Sequence, residues 1–383
     1  MPDERFEEHL LHPVGKGAAP EGGFVGAAGG AVCGDLITFT VAVVGDSVQA
    51  GFEAEGCGAL TAAASAIWDH IDGVGVLEGA KVSPRVVADA LGGLSPGKFH
   101  AAELTADAFH RALGAAVAEG AELARDEGRV VVAMSGGVDS AVAALLAGEG
   151  AVGVTVELWR DVEGDPAGSC CSASAVRLAR QLAHERGMPH ITMDLRDAFR
   201  AGVVDPWIAG HEAGVTPNPC VRCNGSVRID AMADLATRLG ARALATGHYA
   251  RVSSDGLLRA AVDEAKDQSY MLAGLQPDTI ARLEFPLGEL TKPEVRELAR
   301  KHDVPVAEAD ESQDLCFLAG TRRSRFLERH GGLTDTPGKL VDESGTEVGD
   351  HDGYFNYTVG QRRGFRVRRG ATPGPHYVLR TDA

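Results

Sequence analysis

From Val130 the chain runs through an unbroken apolar stretch, VVVAM, into the polar loop SGGVDS and on into AVAALLA. That pattern predicts a buried strand, a tight loop and a helix. The alternation continues through VGVTVELW, SASAVRLARQLAHERG, ITMDL, a helix over NGSVRIDAMADLATRLG, and ARALATGHY. Strands alternating with helices predict an α/β unit, a doubly wound parallel sheet whose ligand sits beyond the strand C-termini. Upstream, ITFTVAVV and VQAGFEAEG alternate with period two, whereas ALTAAASAIWDHI and AFHRALGAAVAEGAELARDEG read as helices. This first α+β unit ends in a polar helical tail that reads as the linker to the strand at Val130. A further helix begins at Thr291, where Glu294 can close a capping box. Past residue 325 the texture changes to short strands and turns such as DESGTE and DHDGY, a small β-rich module. The expected units are residues 1–118, 128–325 and 326–383.

A chain of 383 residues with 44% hydrophobic positions can bury two or three cores. No stretch is apolar enough to span a bilayer, and the acidic start MPDERFEEHLLHP lacks the apolar segment of a signal peptide. A cytoplasmic protein with no membrane partner is expected. In that reducing compartment the seven cysteines point to metal ligands or nucleophiles rather than disulfides. The net charge of −17 argues against nucleic-acid binding by the whole surface, but leaves room for a local patch. Residues 1–120 hold 6 Lys and Arg against 16 Asp and Glu, whereas residues 321–383 hold 11 against 8. The segments TRRSRFLER and GQRRGFRVRRG supply that excess, so RNA contact is expected there first.

The loop itself reads as an anion cradle. Two glycines let the backbone approach an anion, the hydroxyls of Ser135 and Ser140 add donors, and the following helix aims its free amides at the same spot. It is no Walker loop, since it has no lysine to reach a terminal phosphate. It resembles the SGGxDS loop of the N-type ATP pyrophosphatases, which hold the departing pyrophosphate while AMP moves onto a carbonyl oxygen. The plain alternative is an ordinary Gly/Ser strand-to-helix turn.

With SGGVDS, GSCCSAS, TPNPCVRCN, ATGHY, AKDQSYML, ESQDLCF and YTVGQRRG in order, residues from about 128 to 383 resemble the tRNA-specific 2-thiouridylase family. The resemblance implies that ATP adenylates the C2 oxygen of the wobble uridine of tRNA, position 34, and that a sulfur nucleophile then displaces AMP. It implies that Ser135, Gly136, Gly137, Asp139 and Ser140 hold phosphate, with Asp139 helping to position Mg²⁺. Ala133 and Met134 would underlie the nucleotide, and Val156 and Gly247 would border the adenosine. His248 either lines the same cleft or is a structural strand-end histidine. Lys266, Asp267 and Gln268 match a tRNA-contacting KDQ, and Arg362 and Arg363 join the expected tRNA surface. The family continues past the YVL-type strand into a C-terminal β-barrel that does not follow here.

In the family's common form the cysteine matching Cys223 is the nucleophile and the one matching Cys316 carries the persulfide. This chain departs from that form at Cys220, where the familiar residue is aspartate. Cys220, Cys223 and Cys316 then look like the ligands of a [4Fe–4S]-dependent thiolase, with one iron open for sulfide. A persulfide relay through Cys223 and Cys316, fed by a cysteine desulfurase or another sulfur donor, and a structural zinc site stay open beside it. Cys170 and Cys171 match the family's CCS and read as structural or substrate-loop residues.

Along roughly the first 115 residues, GGAVCGDLITFTVAV, FEAEGCGALTAAAS and LSPGKFHAAEL resemble the NifU/IscU-type iron–sulfur scaffold proteins. Cys33, Asp35, Cys57 and His100 match that family's ligands, but its third cysteine is Ala101 here. Four ligands of these types suit Zn²⁺ or a [2Fe–2S] cluster; a docking module without metal is the other reading. For the whole chain, the leading expectation is a tRNA uridine 2-sulfurtransferase. The alternatives are a related thiolase acting on another nucleoside or a small molecule, and an iron–sulfur carrier gated by nucleotide.

Overall fold

Two sheets share one helix in this chain. The computed structural model describes residues 4–30, 34–160, 173–309, 315–318, 320–368 and 375–382; Cys33, Cys170 and Cys171 lie outside the described residues. The first sheet is antiparallel, β1 (Phe24–Gly29), β2 (Leu36–Val44) and β3 (Ser47–Glu55), in that order. β2 and β3 follow the period-two pattern, turning Ile37, Phe39, Val41, Ala50 and Phe52 into the core. β1 reads FVGAAG and escapes the pattern, because two of its six positions carry no side chain.

The second sheet is parallel and built from β4 (Asp126–Ala133), β5 (Ala151–Glu157), β6 (His190–Asp194), β7 (Ala241–Thr246) and a short strand at Leu283–Glu284. A hairpin intervenes before that last strand, β8 (Ala250–Val252) with β9 (Leu258–Ala260), so the Leu283–Glu284 strand is β10. Spatial order is β10-β7-β4-β5-β6, so the chain winds one way from β4 and returns to the other side of it at β7. Ala133 pairs with Thr246, which brings the chain leaving β4 and the chain leaving β7 out side by side. That reversal is the topological switch point at which α/β sheets bind ligands. Beyond it a small antiparallel sheet, β11 (Gly338–Val341), β12 (Glu347–His351) and β13 (Arg366–Val367), forms the β-rich module. The Arg323–Gly331 helix leads into it across residue 325. No described helix is long and apolar enough to cross a membrane.

The Phe99–Gly120 helix is wall rather than tether, with Ala101, Ala102, Phe109, Ala112, Leu113 and Val117 among its buried residues. One face packs on β1 and β2, Phe109 meeting Phe39 edge-on at 5.7 Å. The other packs on β6, where a Cβ on Gly114 would come 1.7 Å from the Thr192 carbonyl oxygen. Its polar residues bridge to the second unit, Asp107 to the Ala173–His184 helix and Arg111 to β5. Asp107 pairs with Arg177 (2.7 Å) and with buried Arg180, and Arg111 pairs with Glu157 at 2.9 Å. The helix ends at Gly120, and ELARDEG passes into an extended connection and β4 instead of continuing it.

Candidate active site

β4 ends at Ala133, and the chain turns through residues 134–137 into the Val138–Ala147 helix. Gly136 takes a left-handed φ of 78°, which a side chain would disfavour. The hydroxyl of Ser140, itself buried, closes the turn: it accepts from the Ser135 amide (3.1 Å), lies 3.2 Å from Ser135 Oγ and donates to the Gly137 carbonyl (3.0 Å). Across the switch point Gly247 lies so close that a Cβ there would sit 2.9 Å from the Ser140 amide nitrogen.

A cavity of about 190 Å³ opens at this point, lined by Ala133, Met134, Ser135, Asp139, Ser140, Val156 and Gly247 together with Thr155, Arg228, Met232, Thr246, His248 and Gln268. Seven of the residues expected around a nucleotide thus share one cavity, while Gly136 and Gly137 shape its loop without lining it. A larger depression of about 580 Å³, lined by Gly148, Ala151, Met188, His302 and Asp303, lies at the opposite ends of the strands. It has neither the loop's donors nor a cysteine.

Sequence did not single out Arg228, which lines the cavity, nor Lys292 and Tyr249, which hold Asp139. Asp139 accepts from Lys292 Nζ through both oxygens (2.7 and 2.8 Å) and from the Tyr249 hydroxyl (3.0 Å). Lys292 is 7% exposed and is the first residue of the Lys292–Lys301 helix, whose capping box forms as expected: the Thr291 amide donates to Glu294 at 2.7 Å. Arg228 lines the same cavity as Asp139. Its Nη2 donates to Asn224 Oδ1 at 2.6 Å and lies 3.3 Å from His248 Nε2. Burial, then the charge of Arg228, push the His248 pKa down to about 3, so the ring is neutral. Its Nε2 accepts from Arg228 and its Nδ1 donates to Thr246 Oγ1 at 2.7 Å. The signals available were a lysine beside a helix cap and an arginine five residues past a CxxC; neither spacing says where the side chain ends.

The KDQ residues do not act as one surface. Gln268 lines the cavity and accepts from the Tyr249 amide at 3.2 Å. Asp267 turns into its own loop, accepting from the Ala261 amide (2.9 Å) and the Ser269 hydroxyl (2.8 Å), and Lys266 is half-buried. Arg362 and Arg363 are exposed in the C-terminal module.

Cys220 and Cys223 lie in the Pro219–Cys223 helix, started by Asn218, whose Oδ1 accepts from the Cys220 amide at 3.0 Å. Cys223 is buried, and the helix runs on through a wide turn, Asn224–Arg228, into Ile229–Arg238. Cys316, half-buried, precedes Phe317, whose ring lies 5.9 Å from Phe199. Residues 199–204 also touch the cysteine helix through Arg222, which bonds to the Gly202 carbonyl at 2.5 Å. Both cysteine segments therefore border the same turn. Three thiols suit a cluster by donor type, yet among the described residues no three His, Cys, Asp or Glu are gathered as a metal-binding group.

The scaffold-like residues come together in part. Asp35 accepts from the Cys57 amide at 2.7 Å and from His100 Nε2 at 3.0 Å, and the other ring nitrogen of His100 donates to the Gly97 carbonyl. Cys57 is exposed, whereas Ala101, at the missing third cysteine, is a fully buried core methyl.

Residues 128–320 match the tRNA methyl transferase HUP domain, residues 3–119 the NifU-like N terminal domain, and residues 324–383 the tRNA methyl transferase PRC-barrel domain. The chain is 42% identical to the bifunctional protein NifU/MnmA of Rubrobacter xylanophilus, over 98% of this chain and 78% of that one. The tRNA-specific 2-thiouridylases MnmA of Acidithiobacillus ferrooxidans and Geobacter metallireducens are 45% and 44% identical. They align over 66% and 67% of this chain and 72% of each of theirs.

Proposed function

Because this chain belongs to the tRNA-specific 2-thiouridylase family with a NifU-like N-terminal domain, and is thus a sulfurtransferase, we propose that it uses ATP to replace the C2 oxygen of uridine 34 of tRNA with sulfur. The observation that carries this reading is the cavity at the switch point, where Ser135, Asp139 and Ser140 meet Val156 and Gly247. In the first step the uridine O2 attacks the α-phosphorus, and pyrophosphate leaves with the bonding electron pair into the loop of Ser135, Gly136, Gly137 and Ser140. In the second, sulfur at the oxidation level of hydrosulfide attacks C2. The C2–O bond breaks, and AMP leaves with the oxygen and its electrons. The base must unstack to reach the cavity, which costs least in an anticodon loop.

A Mg²⁺ ion would supply charge neutralisation, and Asp139 is the cavity carboxylate that would hold it. Cys223, buried at the end of its helix, is assigned the sulfur step: its thiolate cleaves a persulfide on Cys316, releasing hydrosulfide and leaving a Cys223–Cys316 disulfide that an external thiol reduces. No step is routed through a cluster, since the three thiols are not gathered as a metal site. The cluster remains a second reading on the strength of Cys220 alone. Loss of iron and of thiolation together in Cys220→Ala would favour it; unchanged thiolation would favour the relay.

Lys266, with Arg362 and Arg363 in the exposed basic module, is assigned to tRNA binding, while Asp267 and Gln268 shape that surface from within. Cys33, Asp35, Cys57 and His100 are assigned to Zn²⁺ or a [2Fe–2S] cluster, and a cysteine desulfurase or another sulfur donor to sulfur supply, in the cytoplasm. The test is anaerobic incubation of the full chain with unmodified tRNA, ATP, Mg²⁺ and sulfide. ATP-dependent 2-thiouridine in tRNA is expected; its absence, with AMP released onto a free nucleoside instead, overturns tRNA as acceptor.

A further inference from the structure

Arg228 connects the two halves of the chemistry. It ends the Asn224–Arg228 turn that continues directly from the Pro219–Cys223 helix, so it lies five residues along one helical rod from the buried Cys223 thiol. Five residues of helix rise roughly 7 Å. The same side chain lines the cavity together with Ser135 and Asp139. Its guanidinium is oriented by Asn224, which is 3% exposed, and by the neutral ring of His248. Those two partners fix the plane in which the guanidinium lies.

The cavity thus meets positive charge from two segments, the loop after β4 with Lys292 held on Asp139, and Arg228 at the end of the rod that carries Cys223. Pyrophosphate departs toward the loop. In an in-line transfer the acceptor oxygen binds the α-phosphorus opposite the departing pyrophosphate. The α-phosphate is the one phosphate present in both steps, first as the centre attacked and then within the AMP that leaves. A planar guanidinium is matched to two of its oxygens.

We propose that Arg228 binds the α-phosphate, holding the adenylated base toward Cys223 and stabilising AMP as the C2–O bond breaks. The step is the one already balanced above: sulfur at the hydrosulfide level adds to C2, and AMP takes the oxygen and the electron pair. This inference rests on the proposed adenylation, and AMP binding tests it separately.

The experiment compares wild-type, Arg228→Met, Arg228→Lys and Asn224→Ala full-length proteins by calorimetric titration with AMP and with inorganic pyrophosphate, alongside tRNA-dependent pyrophosphate release. Arg228→Met should weaken AMP binding roughly 10- to 100-fold while pyrophosphate binding changes by less than about twofold. Arg228→Lys, which keeps charge but not the fork, should fall between the two, and Asn224→Ala should weaken AMP selectively by loosening the guanidinium. Unchanged AMP affinity in Arg228→Met overturns the proposal, as does equal loss of AMP and pyrophosphate. If Arg228→Met does not fold, AMP affinity of Arg228→Lys equal to wild type overturns it instead. Arg228-dependent AMP binding in a protein that releases no pyrophosphate with tRNA would leave this site standing and remove the adenylation reading.

Discussion

Lys292 reaches across 153 residues of sequence to place its ammonium 2.7 and 2.8 Å from the two carboxylate oxygens of Asp139. The SGGVDS loop has no lysine of its own, so the cation comes from the start of a distant helix and is held against the loop by the aspartate it neutralises. Tyr249 donates to the same carboxylate and puts its ring 5.8 Å beneath the ammonium.

Replacing Lys292 with Met should therefore lower the rate of ATP-dependent pyrophosphate release by about 10²-fold or more, the usual loss for one preorganised charge contact. Asp139→Ala should do the same, and the double variant should lose little more than either single one, because the two groups act together. Additive losses in pyrophosphate-release kinetics would show that they act separately.

Cys223→Ser should abolish 2-thiouridine formation while tRNA-dependent pyrophosphate release continues, since the loop lines the cavity and the thiol is buried outside its lining. Loss of both activities together, in a protein that still binds AMP, would tie the thiol to adenylation itself.

Where the long helix meets the second sheet, three histidines lie together: His110 and His184 have ring centroids 5.4 Å apart, and His184 and His190 6.4 Å. Burial, followed by the charge of Arg180, drives His110 and His190 well below the ordinary histidine range; burial brings His184 down to about 4. These groups stay neutral in the fold while the unfolded chain takes up protons below about pH 6.5. Stability should hold above that pH and fall as pH drops from about 6.5 to 4, His184 alone accounting for on the order of 2–3 kcal/mol. Denaturant melts at pH 7.5 and pH 5 check the sign; equal stability at both would contradict it.

Gly114→Val should destabilise the protein by about 2–4 kcal/mol, because its side chain has nowhere to go but into the Thr192 carbonyl. The loss should appear as a lower melting temperature for both sheets at once, followed by near-ultraviolet circular dichroism. A surface-like change of under about 0.5 kcal/mol would mean that the helix and β6 separate readily.

The loop and the strand before it were legible because their signals are local: an apolar run, two glycines and a hydroxyl at each end fix a strand, a turn and a helix within eleven residues. The Thr291–Glu294 capping box was legible for the same reason. Asp139 as a phosphate-side residue could be expected, but its partner Lys292 could not, because nothing in TKPE encodes a contact made through tertiary packing. Gln268 lines the cavity while Asp267 turns into its own loop, so three residues adjacent in one motif do not share one placement. The helix read over residues 108–128 is wrong at its end, where ELARDEG is polar but extended, and Arg111 within it looks solvated in a string of letters yet pairs with Glu157 of β5.

The Phe99–Gly120 helix also sets the order in which the chain can settle as it is made. Its first face finds β1 and β2 already synthesised, but its second waits for β6, about seventy residues later, which at 5–20 residues per second is a delay of roughly 4–14 s. During that interval a nascent chain carries an alanine-rich apolar stripe with Asp107 unpaired in its midst, since Arg177 and Arg180 have yet to emerge. The fusion of the two units in one polypeptide, N-terminal unit first, therefore makes the ribosome-bound intermediate the species most in need of chaperone cover, and rare-codon pauses between residues 120 and 190 the most damaging place to slow translation.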